Sequence, residues 1–490
     1  MDAARPSAAH VGASATRRGP VRRWLDPGTE ERLRERIATA LRRARRGGAP
    51  VIASVSARID PVDPSAVVIA SKAPGEDWFC FEQPERHGWA LAALGCTRRF
   101  EAAGEERFSQ VARRWQATAS AAAADPADGP PGAGLVALGG FAFAPHGGAA
   151  AHWDRFASAS LILPEISLCR HAGESWLTLN LEVGPDDTEP DVSERARGRL
   201  DRVREVPLPL LDPAPTGVYR VQSAMPPAHY EAAVARAVQR IRAGELEKVV
   251  LAREVDVHGP ADHDPGAILD LLRQEFPACY VFAVGRGEAS FIAASPELLV
   301  RREGQRASTV ALAGSIGRSA DPAVDDHLGE RLLQSEKDRE ENAIVARRIA
   351  RTLRPHAVWV TAAAEPVLVR VANIQHLAMP IRAQLARAMP VVELAGALHP
   401  TPAVGGEPRA EATAMIPALE GFDRGWYAGP VGWTDASGDG EFCVALRCAL
   451  LRGRRARLYA GCGIVRDSDP AAELAETEVK LGALLPALAG

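Results

Sequence analysis

Apolar residues in this chain fall in short runs cut by turns, and no run reaches the roughly 18 residues that a membrane-spanning helix needs. Many of the runs alternate apolar and polar residues at period two, as half-buried strands do. They lie at residues 50–57, 66–70, 78–82, 134–143, 158–163 and 175–183, then at 248–257, 279–285, 290–294, 298–302, 429–434, 441–451 and 457–461. Helical spacing covers 29–46, 230–243, 328–353 and 470–485. The two kinds alternate irregularly and without internal repeat, which argues against a barrel or solenoid and predicts an α+β fold. Loop composition at 119–134 and 207–216 divides the chain into a tail (1–28), an N-terminal half (29–212) and a C-terminal half (213–490).

Composition sets the class. Apolar residues at 47% and charged residues at 24% are those of a globular protein, and a net charge of −4 offers no positive field for nucleic acid. Seven cysteines, odd in number and without a CxxC pair, argue against a disulfide framework or zinc knuckle and point to a reducing cytoplasm. The first 25 residues, rich in Ala, Ser and Arg, have the composition of a transit peptide and equally of a plain tail. Gly139-Gly140 and Gly405-Gly406 lack both GxGxxG and a P-loop lysine, so they signal tight turns, not nucleotide cradles.

Two acidic pairs stand out. Asp338 and Glu341 are three residues apart on one predicted helix, and Glu341 continues the apolar stripe of Val345, Ile349 and Leu353, which directs it inward. Glu473 and Glu476 repeat the spacing on the last long helix, with Lys480 one turn further along the same face. Brought together, four carboxylates offer hard oxygen ligands of the kind Mg²⁺ takes. Spacing alone equally allows two solvated helix faces bridged to neighbouring Arg and Lys.

Lys248 opens an apolar strand, where desolvation favours the neutral amine that a general base requires; a tip snorkelling to water is the alternative. Glu297 follows a proline at a strand entrance beside Leu298 and Leu299, where a raised pKa would suit a general acid, or where the side chain would simply be exposed.

Nine segments in one order, covering roughly residues 220 to 488, resolve these alternatives: EKVVLAR, ASPELLVRR, ALAGSIGR, SEKDREEN, NIQHL, LHPTPAVGG, YAGPVGW, VALRCALL and GCGIVRDSDPAAELAETEVK. Together they resemble the chorismate-utilising enzymes, specifically the isochorismate synthase branch. The resemblance implies a single large domain of two packed β-sheets surrounded by helices, with both halves of the chain contributing. It implies that Lys248 activates water for attack on ring carbon 2 of chorismate and that Glu297 assists loss of the carbon 4 hydroxyl. It implies Mg²⁺ on Glu341 and Glu476, supported by Asp338 and Glu473. Substrate carboxylates are then expected on Arg447, Tyr427, Gly463 and Lys480, with backbone donors at Gly314 and Ser315. His376 and His399 fall in family motifs near the pocket, either as substrate contacts or as hydrogen-bonded structural residues.

The same resemblance orders the branch. Members that install ammonia usually lack the strand lysine and need a glutaminase partner, so Lys248 makes water the expected nucleophile and no glutaminase is expected. The aminodeoxychorismate branch often carries a lysine where this chain has Ala313. Salicylate synthases share the lysine and glutamate but tend to differ in the segment that here reads His399 to Gly406. Asn342, where many members have histidine, is a departure that touches the tuning of the metal site. A noncatalytic chorismate-binding subunit is the rival from another class, and the presence of Lys248, Glu297 and both acidic pairs speaks against it. Isochorismate feeds menaquinone, siderophore and salicylate pathways in the family; residues 79–85 and the region of Trp153 resemble the longer members, from which a role in menaquinone synthesis is expected, with a siderophore-pathway isochorismate synthase as the alternative.

Overall fold

Strand Gly75–Gln83 shows why two layers form. Its Phe79 and Phe81 are buried in one hydrophobic cluster and its Trp78 and Cys80 in another, so both faces of the strand are apolar and both must be covered. The computed structural model, which describes residues 24–126, 128–212, 216–371 and 374–489, meets this with two large, mainly antiparallel sheets and helices packed around them.

The first sheet runs from Arg220–Ser223 through Lys248–His258, Arg455–Ile464, Cys448–Arg452, Ala289–Ser295 and Tyr280–Gly287. It continues through Gly75–Gln83, Trp89–Leu94, Ile166–His171, Glu174–Val183 and Val51–Ile59. The second sheet runs from Ala357–Ala362 through Ile374–Leu385, Arg306–Gly317, Leu298–Glu303, Gly440–Val444 and Pro430–Asp435 to Val136–Phe141, Ala159–Leu163 and Arg98–Ala102. Both sheets therefore join strands from before and after residue 212. Phe282 pairs with Phe81 in one and Trp433 with Leu138 in the other. The main core includes aromatic side chains from both sheets, among them Phe81, Trp89, Phe141, Phe291 and Phe442, and the Phe108 and Phe141 rings stack at 4.1 Å.

Three local readings are corrected. Residues 66–70 form part of a helix, Pro64–Ser71, and not a strand: Asp63 accepts from the Ala66 N–H, Pro64 sits in the first turn, and the apolar run is buried on several sides at once. A short apolar run carries no period, so the cap, a contribution of about 1 kcal/mol, is the better signal. The long helix at 328–353 is two helices, Pro322–Gln334 and Glu336–Leu353, separated by Ser335, whose extended backbone and hydroxyl cap the second through the Asp338 N–H. The run 441–451 is two strands, Gly440–Val444 and Cys448–Arg452, which belong to different sheets.

At the N-terminus the helix Pro27–Gly47 begins one turn after Trp24 and Leu25, which are buried against it and against Val55 and Leu168, so these two residues of the expected tail belong to the fold. Residues 1–23, on which the transit-peptide expectation rests, lie outside the described residues. No helix among the described residues is long and apolar enough to cross a membrane.

Candidate active site

Of the places where the chain passes between the two sheets, two lie side by side, and each carries a charged side chain. Pro296 and Glu297 link Ala289–Ser295 of the first sheet to Leu298–Glu303 of the second. Ala445, Leu446 and Arg447 link Gly440–Val444 back to Cys448–Arg452, with Arg447 at φ 48, a conformation costly for a side-chain-bearing residue. Backbone hydrogen bonds tie the crossings together: Val444 N–H donates to Glu297 O at 3.0 Å and Ala294 N–H to Arg447 O at 3.1 Å. Both side chains line one cavity.

The first sheet supplies the cavity's second wall. On strand Arg455–Ile464, Tyr459, Gly461 and Gly463 line it, and Tyr459 stacks on Tyr427 with ring centroids 5.2 Å apart. A Cβ on Gly463 would lie 2.5 Å from Glu341 Oε1 and 2.7 Å from Lys248 Cε, so only glycine leaves room for that pair. Lys248 is fully buried on the neighbouring strand, its tip beside Gly463, and its Nζ donates to Glu341 Oε1 at 2.7 Å. Gly463→Ala is therefore expected to push the pair apart and lower activity about a hundredfold, with an unchanged circular dichroism spectrum. Wild-type turnover in that variant would show that the spacing is not critical.

The acids behave differently from one another. Burial pushes the Glu297 carboxyl up to about 8, with Lys248 and Arg447 only partly opposing it, so it is protonated at neutral pH. Burial also raises Asp338 and Glu473, and the neighbouring Glu341 and Glu476 respectively add to the rise. Burial works the same way on Glu476, but Lys480 at 2.6 Å and the Ser315 hydroxyl at 2.9 Å overcome it and hold the carboxylate down at about 2.

All four carboxylates, Asp338, Glu341, Glu473 and Glu476, line the same cavity, so the two acidic pairs are not separate solvated faces. Four carboxylates at one cavity, two of them raised by acidic neighbours, offer oxygen donors of the kind a divalent cation such as Mg²⁺ takes. Ligand atoms of Cys462, Glu473 and Glu476 also lie within 4.8 Å of one another. Burial raises the Cys462 thiol, however, and it donates to Glu473 O at 3.4 Å, so it is a neutral, soft group unsuited to that ion.

On the remaining wall, Gly314 takes φ +79 at a register shift between Ala313 and Ser315, and an added Cβ would lie 2.9 Å from Asp338 Cβ. His376 is held neutral, its pKa brought down to about 3 by burial and by Arg447. A carbonyl can only accept, so Nδ1 carries the proton and donates to Gly314 O at 3.4 Å, while Nε2 accepts from Arg447 Nη2 at 3.4 Å.

Of the residues singled out from sequence, Glu297, Gly314, Ser315, Asp338, Glu341, His376, Tyr427, Arg447, Gly463, Glu473, Glu476 and Lys480 line this cavity, and Lys248 meets it through Glu341 and Gly463. His399 is not among them. It is buried against the Phe108 and Phe143 rings, its Nε2 bonded to Phe143 O at 3.0 Å, which makes it a packing residue outside the pocket wall. Among the lining residues that the sequence reading did not single out, two carry polar groups that matter here. Lys337, 3.6 Å from Glu473, lies inside the SEKDREEN segment directly before Asp338, and Tyr459 heads the apolar-glycine alternation before Gly461.

A cavity at the junction of two sheets, with a buried amine, a protonated carboxyl, a carboxylate cluster and a set of cationic donors, defines an enzyme site for a small anionic substrate. The chain belongs to the chorismate binding enzyme family, whose sequence pattern matches residues 39–489. It is 40% identical over 458 residues to the salicylate biosynthesis isochorismate synthase of Pseudomonas aeruginosa, covering 93% of this chain and 94% of that one. It is 33% identical over 473 residues to isochorismate synthase MenF of Bacillus subtilis, covering 94% and 98%. The solved structure of MenF, the menaquinone-specific isochorismate synthase of Escherichia coli, superposes with a TM-score of 0.75 at 29% identity over 92% of this chain and 99% of that one.

Proposed function

We propose that this protein is a Mg²⁺-dependent isochorismate synthase. The observation that carries the reading is the joint presence, at one cavity, of the buried Lys248 and the buried, protonated Glu297, beside four carboxylates and four cationic or hydrogen-bonding groups for an anion. Lys248 removes a proton from water as its oxygen bonds to ring carbon 2, the ring double bond shifts, and the carbon 4 hydroxyl departs as water with the proton of Glu297. One water enters and one leaves, so the reaction is an isomerisation. Lys248 ends protonated and Glu297 ionised, and a proton returned through solvent resets both.

Glu341 and Glu476 would hold the ion, with Asp338 and Glu473 behind them; when bound it supplies positive charge against a ring carboxylate. Arg447, Tyr427 and Lys480 orient the substrate's carboxylates, and the neutral His376 fixes the Arg447 fork. The test is to incubate purified protein with chorismate and Mg²⁺, then with EDTA, and to separate the products. Isochorismate formed only with the metal is expected. Salicylate with pyruvate would replace the reading with a salicylate synthase, and no product despite binding would replace it with a noncatalytic subunit.

The cytoplasm and menaquinone synthesis belong to the same proposal. All seven cysteines are free and six are buried, in keeping with a reducing compartment. The long N-terminal half is covered by the match to the P. aeruginosa salicylate relative as well as by those to the MenF proteins, so it gives menaquinone no advantage as the destination. Loss of menaquinone on gene deletion decides it.

A further inference from the structure

We infer that Asn342 is a positioning residue that fixes the bulge from which the substrate-side and metal-side groups are held, an inference that rests on the reading of the cavity given above. Asn342 is fully buried on helix Glu336–Leu353, directly after Glu341, and lines no part of the cavity. Its Nδ2 lies 3.1 Å from Ala311 O, 3.3 Å from Ala313 O and 2.9 Å from Leu377 O. Those carbonyls belong to two neighbouring strands, Arg306–Gly317 and Ile374–Leu385, on the near side of the register shift that leaves Gly314 as the extra residue. A bulge interrupts the ladder and must be held by something else. One amide with two N–H groups, committed to three carbonyls, holds it here.

The other end of the amide strengthens the case. Asn342 Oδ1 is buried and has no partner, an arrangement that costs stability. An orphaned acceptor is a poor feature for a residue that only fills the core, and it is the consequence of turning both donors toward the bulge. From that bulge two chains of contacts leave. Gly314 O accepts from His376, whose other nitrogen accepts from Arg447. The Ser315 hydroxyl donates to Glu476 at 2.9 Å. Asn342 therefore sets, through the bulge, one substrate-binding side chain and one carboxylate of the metal cluster. Lys248, on the first sheet, and Glu297, on a sheet crossing tied to Val444, are held by other contacts.

Asn342→Leu keeps the branched, four-heavy-atom shape at a somewhat larger volume and removes both donors. The KM for chorismate and the Mg²⁺ concentration for half-maximal activity are expected to rise roughly tenfold, while kcat at saturation of both stays within about threefold. A merely structural role gives the opposite pattern, because a smaller folded fraction lowers apparent kcat and leaves KM alone; that result would overturn the inference. Asn342→Ser, with a single donor, is expected to fall between wild type and Asn342→Leu, and it carries the comparison if the leucine variant does not fold. Chorismate affinity measured by calorimetry on wild type and variants separates the two claims. Wild type that binds chorismate but forms no isochorismate removes the proposed function, whereas equal affinities in wild type and variants remove the role of Asn342.

Discussion

Lys248→Ala is expected to abolish isochorismate formation, a loss on the order of 10³-fold or more in kcat, while chorismate still binds. The expectation follows from where the amine sits. Lys248 is fully buried, its Nζ is fixed by Glu341 at 2.7 Å, and Gly463 keeps the space beside both free of a side chain. Among the described residues no other lysine or histidine stands in the same place: Lys480 is paired with Glu476 and Gly461 O, Lys337 lies against Glu473, and His376 is neutral with both nitrogens engaged. Substrate binding persists because Arg447, Tyr427 and the Gly314 bulge do not depend on the lysine. Removing the partner of a buried carboxylate costs up to about 3–5 kcal/mol, and less here because Glu341 faces an open cavity, so the variant is expected to fold with a lowered melting temperature. Lys248→Arg keeps a long hydrogen-bond donor but not the base, since a guanidinium does not give up its proton near neutral pH, and it is expected to be as inactive as the alanine variant. Product chromatography with a calorimetric binding control decides this. Activity in either variant close to wild type would remove Lys248 as the base.

What the sequence made legible, and what it hid, follows from the range of each signal. The strands around Lys248 and Gly463 were visible because period-two alternation and a glycine at a tight contact are local. The paired carboxylates were visible as spacing on two helices, yet spacing could not bring Asp338 and Glu341 to Glu473 and Glu476, which lie more than a hundred residues away in the chain. Only the order of the nine segments, and then the shared cavity, did that. The break in 441–451 was hidden for a physical reason. Phe442, Cys443, Val444, Ala445 and Cys448 are all buried on one or other sheet, so the apolar pattern runs through the crossing without a mark, and Arg447 at positive φ carries no glycine to announce it. The helix at 64–71 was hidden likewise, because a run buried on several sides has no periodicity to read. His399 shows the converse limit: its motif left open a substrate contact or a structural residue, and only the fold shows its ring turned into the aromatic core.

Glu297→Gln is expected to lower kcat by about 10²- to 10⁴-fold and, at the same time, to stabilise the protein in a pH-dependent way. The two effects have one origin. The carboxyl is buried at the sheet crossing, which moves its pKa from 4.5 to about 8, so that it arrives at neutral pH holding the proton the departing hydroxyl needs. Wild-type activity is accordingly expected to fall as pH rises through about 8, as the acid is lost. Stability runs with the same sign. In the unfolded chain Glu297 ionises near 4.5, so between 4.5 and about 8 the folded state binds the extra proton and loses stability as pH rises. Glutamine, neutral in both states, does not. The difference in unfolding free energy between Glu297→Gln and wild type should therefore be small below pH 4.5, grow up to about pH 8 and level off above it, with a ceiling on the order of 5 kcal/mol. Urea unfolding of both proteins at a series of pH values measures this directly. A gap that stays flat from pH 5 to 9 would mean that Glu297 ionises in the folded protein as it does in water, and a carboxylate of that kind has no proton to give to the leaving group.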